Sequence, residues 1–197
     1  MSVTPWDRQE VELTDSLNNT YNILPSSSPL RPTVLLALIS LLSLSGDLKT
    51  LSLTPLSLTI SLSQWAISPQ EKLEFLTSAS AIYAGARESH RALELQIIAI
   101  EQLQAGKDAV EKAVVYALSD DKRFSVDDVL RVQGVKEKVE GKTAELVKLF
   151  EGDALEGVKK GQEWVGANSS WIEGFCESGG VRSVKMVADG SCPAVHG

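Results

Sequence analysis

The sequence predicts an all-α protein in which stacked helical hairpins form an α-solenoid. Apolar residues recur at helical spacing along most of the chain, as at Leu146, Leu149 and Phe150. Glycines and capping residues mark short turns between these segments, and helices joined by short turns pack as antiparallel hairpins. The chain has no exact internal repeat and no tetratricopeptide signature, so helix spacing alone carries this prediction of helical repeats.

The composition is that of a globular protein and makes some classes of function less favoured than others. A formal net charge of −7 argues against a phosphate-binding surface as the main function, since such surfaces need clustered lysine and arginine. The two cysteines both lie near the C-terminus, so no disulfide framework is expected and a reducing compartment fits. The apolar run 34–44 falls short of the roughly twenty residues of a membrane span. We therefore expect a cytoplasmic protein without membrane contact.

Residues 1–29 form a leader that we expect to be partly irregular. Val11 and Leu13 fit a short helix, whereas Pro25 and the three serines that follow it are typical of a loop. The strongly apolar helix predicted next runs from Leu30 to Leu44. Its leucines lie on all sides of the helix, which indicates burial from several directions.

Residues 51–65 form the one ambiguous segment. Leucine and isoleucine alternate there with serine and threonine at strand spacing, but Pro55 interrupts the alternation. An isolated strand would also have nothing to pair with. We therefore favour a loop up to Pro55 and a helix after it, with an extended 51–62 as the alternative.

Clear helix signals follow. Ser68, Pro69 and Glu71 are an N-cap, a first-turn proline and a capping-box acid, and the helix they start should stop near Gly85. The next helix is predicted over 89–104.

Gly106 is expected to close the helix over 89–104. Asp108 with Glu111 predicts the cap of the following helix, whose buried face includes Val110 and Val114. Short amphipathic helices then fill 119–164. Their signals are the capping pairs Ser125–Asp128 and Asp153–Glu156 and the chain breaks at Gly141 and Gly152.

No residue set supports catalysis. His90 and His196 are the two histidines, and His90 is more simply a solvated or capping residue at a helix start. The aspartate pairs 120–121 and 127–128 are more simply caps and partners of helix dipoles. We predict a protein that is not an enzyme and uses no cofactor.

A metal site is also not expected. Cys176, Cys192 and His196 are three possible ligands, but the second Cys-x-x-Cys pair of a typical zinc site is missing. The prediction is therefore that the chain binds no metal.

Candidate contacts with a partner protein are Trp164, Trp171, Lys159 and Lys160. Aromatic residues are enriched at interfaces, and Trp65 is likewise expected to anchor a core or an interface. Lys159 and Lys160 alternate with glutamates, which is equally typical of a solvated helix face, and the same holds for the lysines at 136 and 138.

Four segments carry a resemblance to a known family. They are 34–46 (VLLALISLLSLSG), 62–72 (LSQWAISPQEK), 124–136 (FSVDDVLRVQGVK) and the piece from Leu146 through Trp164 to Ile172. In order and spacing they resemble the m-subunit family of eukaryotic translation initiation factor 3, and its fungal members in particular. The resemblance covers residues 30–174, about three quarters of the chain, and includes no catalytic motif.

The resemblance implies PCI-type helical repeats. These would comprise N-terminal repeats over 30–105 and the helical start of a PCI module over 106–174. It also implies a non-catalytic scaffold subunit that helps the factor bind the small ribosomal subunit, with the other subunits as partners and RNA contacted at most indirectly. A PCI subunit of the signalosome or of the proteasome lid is the alternative, and an enzyme with a cleft between helices is the alternative from another class.

The chain departs from the family at its C-terminus. The family continues into a winged helix, whose short-strand pattern is missing, and 175–197 resembles no part of the family. Helical periodicity is lost there, while glycine, serine and valine dominate. We expect a chain truncated before the winged helix and a disordered tail.

Overall fold

The computed structural model describes residues 5–118, 126–133, 135–150, 160, 163–164, 166–168 and 170–171. Within these residues the protein is all-helical and contains no strand, as the sequence predicted. The helices are α1 (Pro5–Ile23), α2 (Arg31–Ser45), a 3-10 turn (Leu48–Thr50), α3 (Pro55–Gln64), α4 (Pro69–Gly85), α5 (Ser89–Leu103), α6 (Lys107–Leu118), α7 (Val126–Arg131) and α8 (Gly141–Phe150). None of the helices in the described ranges is both long and apolar enough to traverse a bilayer.

The leader is more helical than the sequence indicated. Helix α1 has 19 residues where a short helix was expected, and the predicted loop after Pro25 is present. Leu17 and Tyr21, four residues apart and therefore on one face, are half-buried against the core. Tertiary contact with α2 stabilises α1, because most helix stability comes from a packed face.

Arg31 joins α1 to α2. Its guanidinium lies 4.2 Å from the centroid of the Tyr21 ring and donates a hydrogen bond to the Tyr21 carbonyl at 3.2 Å. That carbonyl lies in the last turn of α1, where carbonyls lack a helical partner and favour a cation.

Helix α2 forms as predicted and is buried on two sides. A proline occupies its first turn, and Gly46 ends it in the left-handed conformation, with φ of +82°. The helix packs against α1 and α4. Its buried residues are Pro32, Leu35, Leu38, Ile39 and Leu42.

Residues 51–65 are a loop followed by a helix, so the favoured prediction is confirmed. Thr54 and Ser57 form a reciprocal capping box, with each side-chain oxygen accepting the other residue's N–H at 3.1 Å. Leu58 and Leu62, four residues apart, are the buried positions of α3. The loop is tied to α5 by Arg91, which donates to the Leu53 carbonyl at 3.2 Å.

Helices α4, α5 and α6 form the most densely packed part of the described chain. The predicted capping box at the start of α4 is present: Ser68 Oγ accepts from the Glu71 N–H at 3.2 Å, and Glu71 Oε2 accepts from the Ser68 N–H at 2.7 Å. Small side chains at the interfaces let the helix backbones approach closely. These residues are Ala79, Ala84, Ala92, Ala99 and Ala113, all fully buried.

The stop of α4 agrees with the sequence prediction, and the stop of α5 does not. Helix α4 does end at Gly85, but the left-handed residue of the turn is Arg87, with φ of +63°. Helix α5 is closed by Gln104, with φ of +51°, two residues before the expected Gly106. The prediction for Gly106 was wrong because the geometry of the packed hairpin decides which residue adopts the turn conformation.

The predicted cap of α6 was also wrong. The helix begins at Lys107, so Asp108 lies inside the first turn and cannot be the N-cap. Gly106 holds the start of the helix instead, since its carbonyl accepts from the N–H groups of Ala109 and Val110 at 3.2 and 3.4 Å.

Helices α7 and α8 extend the core. Val129, Val135 and Leu146 are buried against the same cluster as the earlier helices. Gly141 begins α8 with φ of +58°, at the predicted chain break. The capping pairs Ser125–Asp128 and Asp153–Glu156, the break at Gly152 and the tail 175–197 lie outside the described residues and side chains.

Candidate functional site

The two candidate contact tryptophans lie against each other. The rings of Trp164 and Trp171 meet edge to face, with centroids 5.6 Å apart and planes at 83°. This geometry brings the positive edge of one ring to the negative face of the other. Both side chains are half-buried and pack against the core.

Carboxylates from two helices hold this tryptophan pair. Trp164 Nε1 donates to Glu145 Oε2 at 3.0 Å, and Trp171 Nε1 donates to Glu111 Oε1 at 3.1 Å. Glu111 Oε1 also accepts from Thr143 Oγ1 at 3.3 Å. Hydrogen bonds to an ionised acceptor are stronger than neutral ones. The pair therefore fastens the C-terminal end of the described chain onto α6 and α8, and the half-exposed ring surfaces remain on the outside.

The candidate lysines are not brought together with the tryptophans by any described contact. Lys160 is exposed and precedes Trp164 by four residues in the sequence, and Lys159 lies outside the described residues. Of this predicted set, the structure therefore assembles Trp164 and Trp171. Trp65 is fully buried and meets Phe75 edge to face at 5.1 Å, so it anchors the core.

Lys138 has a structural role that sequence reasoning missed. It was predicted to lie on a solvated helix face, but its Nζ donates to the Ala105 carbonyl at 2.9 Å. Lys107 and Glu140 form an ion pair nearby. The segment before α8 is therefore fastened to the turn between α5 and α6. Lys136 is exposed, as predicted, but it lies in a turn and not on the predicted helix face.

A buried polar cluster joins α4, α5 and α6. Gln96 Nε2 donates to Ser80 Oγ at 2.6 Å, Ser80 Oγ donates to the Thr77 carbonyl at 2.9 Å, and the Tyr116 hydroxyl lies next to Ser80. Burial raises the pKa of Tyr116, because the charged tyrosinate would lose its hydration. Gln96 Oε1 is buried without a hydrogen-bond partner among the described residues. The sequence signal for the cluster was a glutamine inside an apolar helix run, which sequence reasoning overlooked.

The described residues do not assemble a catalytic centre around His90. This histidine lies in the first turn of α5, half-exposed, with Nε2 3.5 Å from Glu94 Oε1. Glu94 also pairs with Arg91 at 2.9 Å. Such a surface ion-pair group stabilises the start of a helix. No group of three possible metal ligands occurs in the part of the chain that the structure describes.

The other residues considered for chemistry are not described. Cys176, Cys192 and His196 lie outside the described residues, as does the aspartate pair 120–121, and the side chains of 127–128 are not described either. The predictions made for them stay predictions.

Neither the comparison with protein-family models nor the comparison with solved structures identifies a relative. No protein-family model matches the chain, and no solved structure matches it. The resemblance of the four sequence segments to a family therefore stays a prediction.

Proposed function

We propose that this chain is a non-catalytic scaffold subunit of eukaryotic translation initiation factor 3, of the m-subunit family. In this role it supports the binding of the small ribosomal subunit and translation initiation in the cytoplasm. The single observation that carries the proposal is the resemblance over 30–174, in which four segments occur in family order and spacing. Its partners are the other subunits of the factor, and it reaches the ribosome through them.

The packing pattern supports a PCI-type helical-repeat architecture. Helices that contact each other extensively are close in sequence, as in the pairs α1–α2, α4–α5, α5–α6 and α6–α7. Repeat proteins are built in this way, because each unit packs mainly on its neighbours and the stack offers extended surfaces to partners. A scaffold needs such surfaces rather than an enclosed pocket.

The tryptophan pair is the surface that we assign to a neighbouring subunit. Its two side chains are half-buried and held by hydrogen bonds to Glu145 and Glu111, and the exposed Lys160 precedes Trp164 by four residues in the sequence. Tryptophan is among the residues that contribute most to binding at interfaces.

A PCI subunit of the signalosome or proteasome lid is the second candidate, because serial packing of short helices is equally typical of those subunits. Affinity purification of the tagged chain from a eukaryotic lysate, followed by mass spectrometry, separates the candidates. Recovery of initiation-factor subunits with small-subunit ribosomal proteins is the expected result. Recovery of signalosome or lid subunits would transfer the assignment, and recovery of chaperones alone would contradict both.

A variant tests the assigned surface in the same experiment. Lys160→Glu reverses the exposed charge that precedes Trp164 by four residues in the sequence and should reduce the recovery of the partner subunits by about threefold. Glu101→Lys, also exposed but on α5, is the control and should leave recovery unchanged. If the unmodified chain and the two variants recover the partner subunits equally, the tryptophan surface is not the contact. The family proposal is then still tested by which subunits the unmodified chain recovers.

A further inference from the structure

A groove separates the N-terminal halves of α2 and α4. Its volume is about 300 Å³, within the range of sites that hold small ligands or anchoring side chains. Two loops close one end, the first preceding α2 and the second preceding α4. The apolar residues that line the groove are Pro29, Pro32, Leu36, Ile67 and Phe75.

Several contacts hold the groove in shape. The Ala66 N–H donates to the Ser27 carbonyl at 3.1 Å and so joins the two loops at the closed end. The capping box of Ser68 fixes the start of α4, and the edge-to-face contact with Trp65 holds the lining residue Phe75 in place. A partner that binds here would not need to order these elements, which lowers the entropy cost of binding.

The rim of the groove is acidic. Glu71 and Glu74 are the charged residues among those that line it, and both are exposed at adjacent positions of one helix face. Hydrogen bonds from Ser68 hold the pKa of Glu71 below its ordinary value, so this carboxylate is ionised at neutral pH. Glu74 accepts a hydrogen bond from Gln70 at 3.1 Å.

We propose that this groove binds a short segment of a partner protein in which an aliphatic side chain is flanked by lysine or arginine. The aliphatic side chain enters between Leu36 and Phe75, where it is removed from water. The flanking cations face Glu71 and Glu74, and charge complementarity of this kind increases the association rate and selects against acidic partners. This inference goes beyond the scaffold function, because it concerns different helices from the tryptophan pair and is tested on the isolated protein.

The test uses a fluorescent peptide and the full-length chain. The probe is an amphipathic 14-residue peptide with leucines on one face and lysines on the other, and its match carries glutamate in place of every lysine. Fluorescence anisotropy should show saturable binding of the lysine peptide, and the glutamate peptide should bind at least about tenfold more weakly. Equal binding of the two peptides would overturn the proposal.

Groove variants locate the site. Ser78→Arg adds bulk and a positive charge at an exposed groove position and should weaken binding by about tenfold. Ser63→Arg makes the same change at an exposed position of α3 and should leave affinity within about twofold. Circular dichroism confirms that both variants fold. Binding that Ser78→Arg leaves intact would place the peptide elsewhere and contradict the proposal.

A charge variant tests the acidic rim. Glu74→Gln should weaken binding by about threefold, and Glu101→Gln, with the same change in net charge at an exposed position of α5, should have a smaller effect. Equal weakening by both would mean that the peptide senses only the net charge of the protein, and this would contradict the proposal.

Two further measurements identify the occupant. NMR amide shifts should concentrate on Thr33, Leu36 and Ser78 when the lysine peptide is added. Sedimentation of the free chain checks the other occupant, a second copy. Self-association that Ser78→Arg abolishes would assign the groove to the chain itself and overturn the assignment to a basic partner segment.

Discussion

The N-terminal helices α1–α3 and the central helices α4–α6 use apolar residues differently. Helices α1–α3 leave large apolar side chains in water: Ile23 is 83% exposed, Leu44 84% and Leu56 71%. Helices α4–α6 contain more alanine and valine at their contacts, and there Leu76 and Val114 are completely buried. Small residues let neighbouring helices approach, so that each side chain is surrounded. Helices α1–α3, although they are rich in leucine, therefore bury their apolar side chains less completely than helices α4–α6 do.

Truncating one leucine in each region should give the largest difference in the free energy of unfolding between the two regions. Leu76→Ala should lower the free energy of unfolding by about 3 kcal/mol, because it leaves a cavity in a packed interface. Leu44→Ala removes the same atoms from an exposed position and should change it by no more than about 0.5 kcal/mol. Urea denaturation followed by circular dichroism measures both. Similar losses would show that the two regions are equally packed.

Removing a tyrosine hydroxyl from the central helices should lower the free energy of unfolding by a smaller amount. Tyr116→Phe removes a hydroxyl that lies next to Ser80 in the polar cluster and should cost about 1 kcal/mol near neutral pH. Tyr83→Phe, in the same helix group, is the companion variant, since burial raises the pKa of that tyrosine too.

The same two tyrosines predict a loss of stability at alkaline pH. Burial raises their pKa above the usual 10.0, so from about pH 10 upward the unfolded chain releases these protons before the folded chain does. The free energy of unfolding should therefore fall as pH rises past 10, and the double Tyr83→Phe/Tyr116→Phe variant should flatten this fall. An equally steep fall in the double variant would assign the effect to other groups.

Removing a helix cap should lower the free energy of unfolding by nearly the same amount in both regions, which is the smallest difference that we expect between them. Ser68→Ala at the start of α4 and Thr54→Ala at the start of α3 should each cost about 1 kcal/mol, since both residues form capping boxes. Thermal unfolding followed by circular dichroism measures each loss. A much larger loss for Thr54→Ala would show that α3 depends more on its cap than on its packing.

Measuring the free energy of unfolding as the pH is lowered distinguishes the cap of α4 from the cap of α3. The Ser68 hydrogen bonds lower the pKa of Glu71 from the usual 4.5, so the unfolded chain binds this proton first as pH falls. Stability from this group is therefore present above pH 4.5 and is lost below it. Ser68→Ala should reduce the acid loss of stability, whereas Thr54→Ala, whose cap partner is a serine, should not.

Local features of the fold could be predicted from the sequence. Pro32 in a first turn, Gly46 after a helix and the Ser68–Glu71 pair each specify a helix boundary through groups within four residues of each other. The helix after Pro55 was predictable for the same reason. Such signals depend on backbone groups that every helix end must satisfy.

Features that depend on distant residues were not predictable. The pairing of Gln96 with Ser80 joins two helices, and the contact of Lys138 with the Ala105 carbonyl spans 33 residues. Trp164 and Trp171 were predicted as contact residues, but their carboxylate partners on α6 and α8 could not be inferred. Each of these contacts needs the chain to be folded before its two groups can meet.

The sequence by itself determined the helical class, most helix starts and the absence of a recognisable catalytic motif, because these follow from short-range periodicity and residue chemistry. Tertiary structure alone decided that Arg87 and Gln104 adopt the left-handed turns, that α1 becomes a long helix, and that α2 and α4 leave a groove between them. The physical reason is that helix propensity is weak and packing energy is large, so the arrangement of neighbours settles what local signals leave open.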